Sequence, residues 1–82
     1  MEAGHSMKEL LLYIARNLVD DPDAVSVTEV PGEQELTLEL RVASEDMGKV
    51  IGRQGRIAKE IRTLVRSCAQ RTGQRVSIDI VD

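Results

Sequence analysis

Two glycines three residues apart, Gly52 and Gly55, divide an apolar pattern of helical spacing over residues 50–61. Arg53 and Gln54 stand between them, so a cation and an amide would project from a loop whose backbone can approach an anion closely. A helix that begins after the loop would direct its unpaired N–H groups and its positive dipole end at the same place. The spacing therefore predicts a phosphate-binding loop between two helices.

Basic residues are concentrated around this loop. The formal net charge is −3, but residues 1–46 carry three basic and eleven acidic side chains, whereas residues 47–82 carry eight and three. Six basic residues fall within residues 49–66: Lys49, Arg53, Arg56, Lys59, Arg62 and Arg66. A solvated helix face would explain a basic helix by itself, but beside a glycine loop the cluster favours binding of phosphates.

Other kinds of chemistry find little support in the sequence. The single cysteine cannot form an internal disulfide, and the single histidine, His5, is not accompanied by the residues of a metal or catalytic site. The glycines match neither the dinucleotide-binding motif nor the P-loop motif. No apolar run is long enough to span a membrane, and no secretory signal is visible. We therefore expect a cytoplasmic protein that is not an enzyme and holds no metal or cofactor.

The first half of the chain predicts a helix followed by a hairpin. Ser6 and Glu9 form a capping box at the start of a helix over residues 7–19. Its core stripe comprises Met7, Leu10, Leu11, Ile14, Leu18 and Val19. Residues 25–30 and 35–42 alternate apolar and polar side chains, and Pro31-Gly32 between them predicts a type II turn.

The second half predicts two helices around the glycine loop and a final strand. Ser44 could cap a short helix that ends near Ile51. A longer helix is predicted over residues 56–71, with Gly73 as its C-terminal cap. Its apolar stripe comprises Ile57, Ile61, Leu64, Val65 and Cys68. The last strand is predicted over residues 75–81.

The order α-β-β-α-α-β predicts a single α+β domain in two layers. The hairpin is antiparallel, and a strand that follows two helices most often returns parallel to its neighbour by a right-handed crossover. The sheet should therefore be mixed and three-stranded, with three helices on its apolar face. A chain of 82 residues has a thin core, so oligomerisation would stabilise it.

The motif V-I-G-x-x-G-x-x-I-x-x-I at residues 50–61 resembles the signature of KH RNA-binding domains, which clamp about four nucleotides with their G-x-x-G loop. The order of elements looks like the type II KH domain. The chain as a whole is similar to the small bacterial single-KH proteins of the KhpA family. The resemblance covers residues 7–82, and residues 1–6 are predicted to form a flexible tail.

This resemblance implies binding of single-stranded RNA in a groove between residues 47–59 and the strand that contains Leu40, Arg41 and Val42. RNA-binding folds that stack bases on aromatic side chains fit less well, because Tyr13 is the only aromatic residue. Ile51 and Ile57 could line the groove floor or belong to the core. The predicted RNA-binding residues are Arg41, Lys49, Ile51, Gly52, Arg53, Gln54, Gly55, Arg56 and Lys59.

The sequence also leaves apolar residues that could mediate association. Leu12 and Tyr13 fall off the predicted core stripe, and Ile61, Leu64 and Val65 give the long helix a broad apolar side. Either set could be core or a dimer interface. The family resemblance implies a homodimer or a heterodimer with a larger KH protein of the KhpB, Jag or EloR type. It also implies an RNA chaperone that affects cell-wall synthesis, elongation and division. The alternative is a protein-interaction adaptor whose KH fold mainly mediates pairing.

Overall fold

A computed structural model describes residues 6–81 of the chain, and residues 1–5 of the predicted tail lie outside the described residues. Helix α1 spans Met7–Leu18, and Ser6 is its N-cap. The Ser6 Oγ accepts the Glu9 N–H at 3.1 Å, which confirms that half of the predicted capping box. The 3-10 turn Pro22–Ala24 then leads the chain into the sheet.

Strands β1 (Ser26–Pro31) and β2 (Leu36–Arg41) form the predicted antiparallel hairpin. The predicted type II turn is wrong, because Pro31 belongs to β1 and Gly32 does not have the positive φ that this turn requires. Instead, the Gly32 N–H donates to the Glu35 carbonyl at 2.7 Å across a four-residue loop. A Cβ at Gly32 would lie 2.9 Å from that carbonyl oxygen, so close approach explains this glycine.

Helix α2 (Met47–Ile51) precedes the glycine loop, and helix α3 (Arg56–Arg71) follows it with the predicted bounds. A 3-10 turn, Ser44–Asp46, leads into α2. Ser44 does not cap this segment, since its hydroxyl donates to the Glu45 carboxylate at 3.2 Å. Gly73 ends α3 as predicted, with φ at 77°. The Gln74 and Gly73 N–H groups donate to Ala69 and Gln70, which is the pattern of a Schellman motif.

The sheet is three-stranded and mixed, as predicted, with strand order β1-β2-β3. Strand β3 (Val76–Ile80) pairs parallel with β2 and begins opposite Leu36. Central strand β2 therefore has neighbours on both sides, while β1 and β3 are the edges. Because parallel strands end at the same side of a sheet, the C-terminal ends of β2 and β3 lie together, close to the start of α3.

The core lies between the helices and one face of the sheet. Leu11 of α1, Val65 of α3, and Leu38 and Leu40 of β2 are fully buried there. The predicted helix stripes are confirmed in most positions, since Met7, Leu11, Ile61 and Val65 are buried. Ala15, Ala58 and Ala69 are buried although the patterns did not include them, and Leu18 and Leu64 are exposed although the patterns did.

Candidate nucleic-acid interface

The glycine loop is a tight turn whose shape depends on left-handed backbone. Gly52 has φ and ψ of 77° and 174°, Gln54 has 58° and 24°, and Gly55 has 75° and 14°. Gln54 is the one non-glycine residue with positive φ among the described residues. Helix α3 starts directly after Gly55 without a side-chain cap. The loop thus presents main chain at the N-terminus of a sixteen-residue helix.

The two glycines are needed for different reasons. A Cβ at Gly52 would lie 2.6 Å from the Ile57 Cγ1 atom, so the side chain of α3 fills the space that any other residue would need. A Cβ at Gly55 would meet nothing within 4 Å. Gly55 is therefore required by its backbone angles alone, whereas Gly52 is required by both backbone angles and packing.

Some loop amides are already used within the turn. The Gly52 N–H donates to the Gly48 carbonyl at 2.9 Å, and the Gly55 N–H donates to the Gly52 carbonyl at 3.1 Å. The Arg56 N–H donates to the Arg53 carbonyl. The phosphate contacts predicted for the glycine amides therefore compete with hydrogen bonds that hold the loop together. Arg53 and Gln54, between the glycines, project into solvent.

The predicted cations occupy different environments. Arg53, Arg56 and Lys59 are exposed on the loop and the first turn of α3. Arg41 is exposed at the end of β2, where its guanidinium lies 3.6 Å from the Glu39 carboxylate. The basic character of the interface is therefore carried mainly by the loop and α3.

Lys49 differs from these cations because two carboxylates hold it. Its Nζ lies 3.3 Å from Asp20 Oδ2 and 3.3 Å from Asp46 Oδ1. Asp46 is only 2% exposed, and its Oδ2 accepts the Asp21 N–H at 3.1 Å. Asp46 immediately precedes α2, so this cluster ties the helix that leads into the loop to the segment that follows α1.

Asp46 and Lys49 are both stabilised in their ionised forms. Burial by itself would raise the pKa of Asp46. Hydrogen bonds from the Asp21 and Asp20 amides and the Lys49 ammonium outweigh burial and hold that pKa below its ordinary value of 3.8. Hydrogen bonds to Asp20 and Asp46 raise the pKa of Lys49 above 10.5. Lys49 therefore remains charged, but its charge is compensated locally.

Strand β2 is central in the sheet, whereas β1 and β3 are its edge strands. Leu40 pairs with Val27 of β1 and with Ile80 of β3, and its carbonyl accepts the Val81 N–H at 2.9 Å. The backbone of Leu40 is thus paired on both sides, and the groove beside Leu40, Arg41 and Val42 stays a prediction. Edge strand β3 packs against α3, and the Arg62 Nε donates to the Ile78 carbonyl at 3.2 Å. No sequence pattern joins Arg62 to Ile78, because this contact depends on how α3 packs on β3.

The two isoleucines at the loop have separate roles. Ile51 is 37% exposed at the end of α2, so it can line a groove floor. Ile57 is half-buried and packs against the core, where it also contacts the position of Gly52. Ile57 therefore belongs to the core, whereas the place of Ile51 in a groove floor stays a prediction.

The residues predicted for association fall into a buried group and an exposed group. Ile61 and Val65 are 4% and 0% exposed and belong to the core, so they offer no surface to a partner. Leu64 is 49% exposed on the outer side of α3, and Tyr13 is 69% exposed on α1. Leu12 is half-buried beside Tyr13. Of the predicted set, Leu12, Tyr13 and Leu64 remain candidates for an interface.

Within residues 6–81, no helix is both long and apolar enough to cross a membrane. In the same range, no group of histidine, cysteine and carboxylate side chains is placed to hold a metal ion.

Comparison with known proteins identifies the family. The family model described as KhpA/KhpB, KH domain, matches residues 8–80. RNA-binding protein KhpA of Clostridium acetobutylicum is 59% identical over 75 residues, which cover 92% of this chain and 100% of that protein. RNA-binding protein KhpA of Treponema pallidum is 53% identical over 92% of this chain and 94% of that protein.

A solved structure of Aquifex aeolicus Era shares the fold, with a TM-score of 0.59 and 22% identity. The match covers 90% of this chain but only 29% of the Era chain, so it concerns one part of that larger protein. The fold, the family model and the sequence relatives agree. The chain belongs to the KhpA/KhpB KH-domain family.

Proposed function

We propose that this protein binds single-stranded RNA through the glycine loop and is not an enzyme. The observation that carries the proposal is the loop itself, with left-handed backbone at Gly52, Gln54 and Gly55 and exposed cations beside it. The relatives named RNA-binding protein KhpA, 59% and 53% identical to this chain, support the same function.

The loop geometry suggests how a strand would be held. We assign phosphate contacts to the amides of Arg53 and Gln54, because the glycine amides donate within the turn. Arg53, Arg56 and Lys59 would add charge, and Ile51 would support a base on its apolar side chain. Strand β3 is an edge of the sheet, so apart from the Ile78 carbonyl, which accepts from Arg62, it offers main-chain groups for base edges. A duplex hides its base edges, so single strands should bind better.

A second candidate role is pairing with another KH domain. The exposed Tyr13 on α1 favours it, since an aromatic side chain that is 69% exposed is typical of a contact surface. In this role the chain would be an adaptor in a homodimer or beside a larger KH protein. An RNA chaperone complex that affects cell-wall synthesis, elongation and division is the cellular role that the family resemblance implies.

The test is to replace both Arg53 and Gln54 with Asp and to titrate a labelled single-stranded oligoribonucleotide. Two anions at the phosphate position should abolish binding without lowering Tm, because both side chains are exposed. The matched control is the exposed pair Gln74 and Arg75, also replaced with Asp, which changes the net charge equally. This pair lies beyond the other end of α3, about 24 Å away.

The control chain should bind RNA nearly as well as the unmodified protein. Equal loss in both variants would show that net charge, not the loop, determines affinity. Equal affinity in the loop variant and the unmodified protein would remove the loop from the mechanism and leave pairing as the main role.

A further inference from the structure

Asp46 places a carboxylate where an apolar side chain would usually lie. It is only 2% exposed and is the one buried polar or charged residue among residues 6–81. Burying a carboxylate costs free energy, and well-packed apolar residues in place of a buried ion pair are often neutral or stabilising. A hydrogen-bonded carboxylate differs from an apolar side chain because its contacts are directional, so they fix one arrangement of the segments that they join.

The contacts of Asp46 join two segments that are distant in the chain. Its Oδ2 accepts the Asp21 N–H at 3.1 Å, across 25 residues. Its Oδ1 lies 3.3 Å from the Lys49 Nζ, and the same ammonium lies 3.3 Å from the Asp20 carboxylate. Asp20 and Asp21 follow α1, whereas Asp46 directly precedes α2 and Lys49 belongs to α2. The carboxylate thus connects the N-terminal end of α2 to the segment after α1.

Helix α2 depends on such contacts because it has only five residues, Met47–Ile51. Helices this short are not stable by themselves in water. Val50 lies one turn after Asp46 on the same side of the helix and is fully buried. Asp46 and Val50 therefore hold the two ends of α2, the first by directional polar contacts and the second by packing.

The position of α2 determines where the glycine loop lies. Gly52 follows the helix directly, and its N–H donates to the Gly48 carbonyl of α2 at 2.9 Å. A displacement of α2 would therefore move Gly52 and the amides of Arg53 and Gln54. We propose that Asp46 is a positioning residue for RNA binding, which holds α2 and the glycine loop where a strand can bind without touching the RNA itself. This role rests on the RNA binding proposed above.

Positioning and charge have opposite effects on RNA affinity. Gly52 lies six positions after Asp46, which in a helix is about 9 Å and within the screening length of about 10 Å at 0.1 M salt. Removing a carboxylate so close to a polyanion should strengthen binding by electrostatics alone, and it would also release Lys49 to phosphates. If Asp46 positions the loop, its removal should weaken binding instead.

The test compares Asp46→Ala and Asp46→Asn in titrations with a labelled single-stranded oligoribonucleotide, well below the Tm of each variant. Apparent affinity scales with the fraction of molecules that are competent to bind, so a loop that keeps its binding position in about one molecule in ten binds about tenfold more weakly. We expect this loss in Asp46→Ala. Asparagine has the same shape and can still accept the Asp21 N–H, so Asp46→Asn should lose less.

The matched controls are Glu45→Ala and Glu45→Gln, which remove the same charge one residue away. Glu45 is exposed, and its carboxylate accepts the Ser44 hydroxyl. These variants should bind RNA as well as the unmodified protein or slightly better. The loop itself is followed without RNA by the amide NMR signals of Gly52 and Gly55. They should shift and broaden in Asp46→Ala but not in Glu45→Ala, whereas a residue that contributed stability alone would leave them unchanged in the folded chain.

Three results would overturn this role for Asp46. They are a folded Asp46→Ala chain that binds RNA as well as Glu45→Ala does, loop signals that do not move in that chain, and failure of both Asp46 variants to fold. If only Asp46→Ala unfolds, the comparison of Asp46→Asn with Glu45→Gln decides in the same way. An unmodified protein that binds no RNA would be a separate outcome, since it would remove the proposed function together with this role.

Discussion

Replacing each loop glycine with alanine should have very different effects, although the two positions are only three residues apart. Gly55 has open space around its Cβ position, and its angles lie in the left-handed region that alanine adopts at a cost of about 1 kcal/mol. Gly52 has φ of 77° and ψ of 174°, a region that is essentially restricted to glycine. Its Cβ would also lie 2.6 Å from Ile57.

The strain and the clash at the two glycine positions predict different losses of RNA affinity. In Gly55→Ala the loop must adopt a conformation strained by about 1 kcal/mol when it binds RNA, which weakens binding about fivefold. Gly52→Ala combines backbone strain of up to about 3 kcal/mol with a steric clash, so affinity should fall by more than about 100-fold. Part of this effect should appear as a lower Tm, since Ile57 packs against the core.

The assay is fluorescence anisotropy with a labelled single-stranded oligoribonucleotide, together with thermal unfolding of each variant. Gly48→Ala is the matched control, because Gly48 lies in α2 and its Cβ position is empty. Alanine there should bind RNA normally and stabilise the helix by about 0.5–1 kcal/mol. Adding Ile57→Ala to Gly52→Ala should remove the clash but not the backbone strain, and so should restore binding only in part.

Equal losses for the two glycines would refute the reasoning, because they would mean that neither the clash nor the distinct backbone region matters. Normal binding by Gly52→Ala would show that RNA does not use the loop in this conformation. Full recovery on adding Ile57→Ala would assign the whole effect to packing.

Two further predictions concern the cluster around Lys49. Two carboxylates compensate the charge of Lys49, so Lys49→Met should leave the slope of log K for RNA binding against log salt concentration unchanged. Lys59→Met should reduce the magnitude of that slope by about 0.7, the contribution of one phosphate. An equal reduction of the slope in both variants would show that Lys49 contacts a phosphate. The pKa of Asp46 is lower in the folded chain than its ordinary value of 3.8, so Asp46 stabilises the fold above that pH, and the stabilisation is lost as pH falls through the folded pKa. Urea unfolding in acid should show a fall in the free energy of unfolding that is smaller in Asp46→Asn, and identical pH profiles would contradict this role.

Local signals were sufficient to predict much of the fold. The bounds of α3 follow from a glycine at each end, since Gly55 and Gly73 both adopt positive φ. The alternation in β2 and β3 and the hairpin before them determine a mixed sheet once a right-handed crossover is assumed. The loop could be predicted because its glycines, Arg53 and Gln54 are contiguous in the chain.

What the sequence did not reveal depends on contacts between distant segments. Asp20 and Lys49 carry no pattern that joins them, and only the packing of α2 against the end of α1 brings them within 3.3 Å. The hydrogen bond from Arg62 to the Ile78 carbonyl likewise depends on how α3 packs on β3. Apolar patterns also undervalue alanine, which is why Ala58 and Ala69 were missed in the core of α3.

The parallel pairing of β2 with β3 has a consequence for the time course of folding. Residues that pair across these strands, such as Thr37 and Ser77, are 40 positions apart, whereas β1 and β2 are joined by a four-residue loop. During synthesis the hairpin can therefore form while α3 is still within the ribosome. The edge of β2 that later pairs with β3 stays open until residues 76–80 emerge, and non-local pairing of this kind is slow. In that interval β2 could accept a β3 strand from another nascent chain, so domain-swapped dimers are the misfolded species to look for when this protein is expressed at high level.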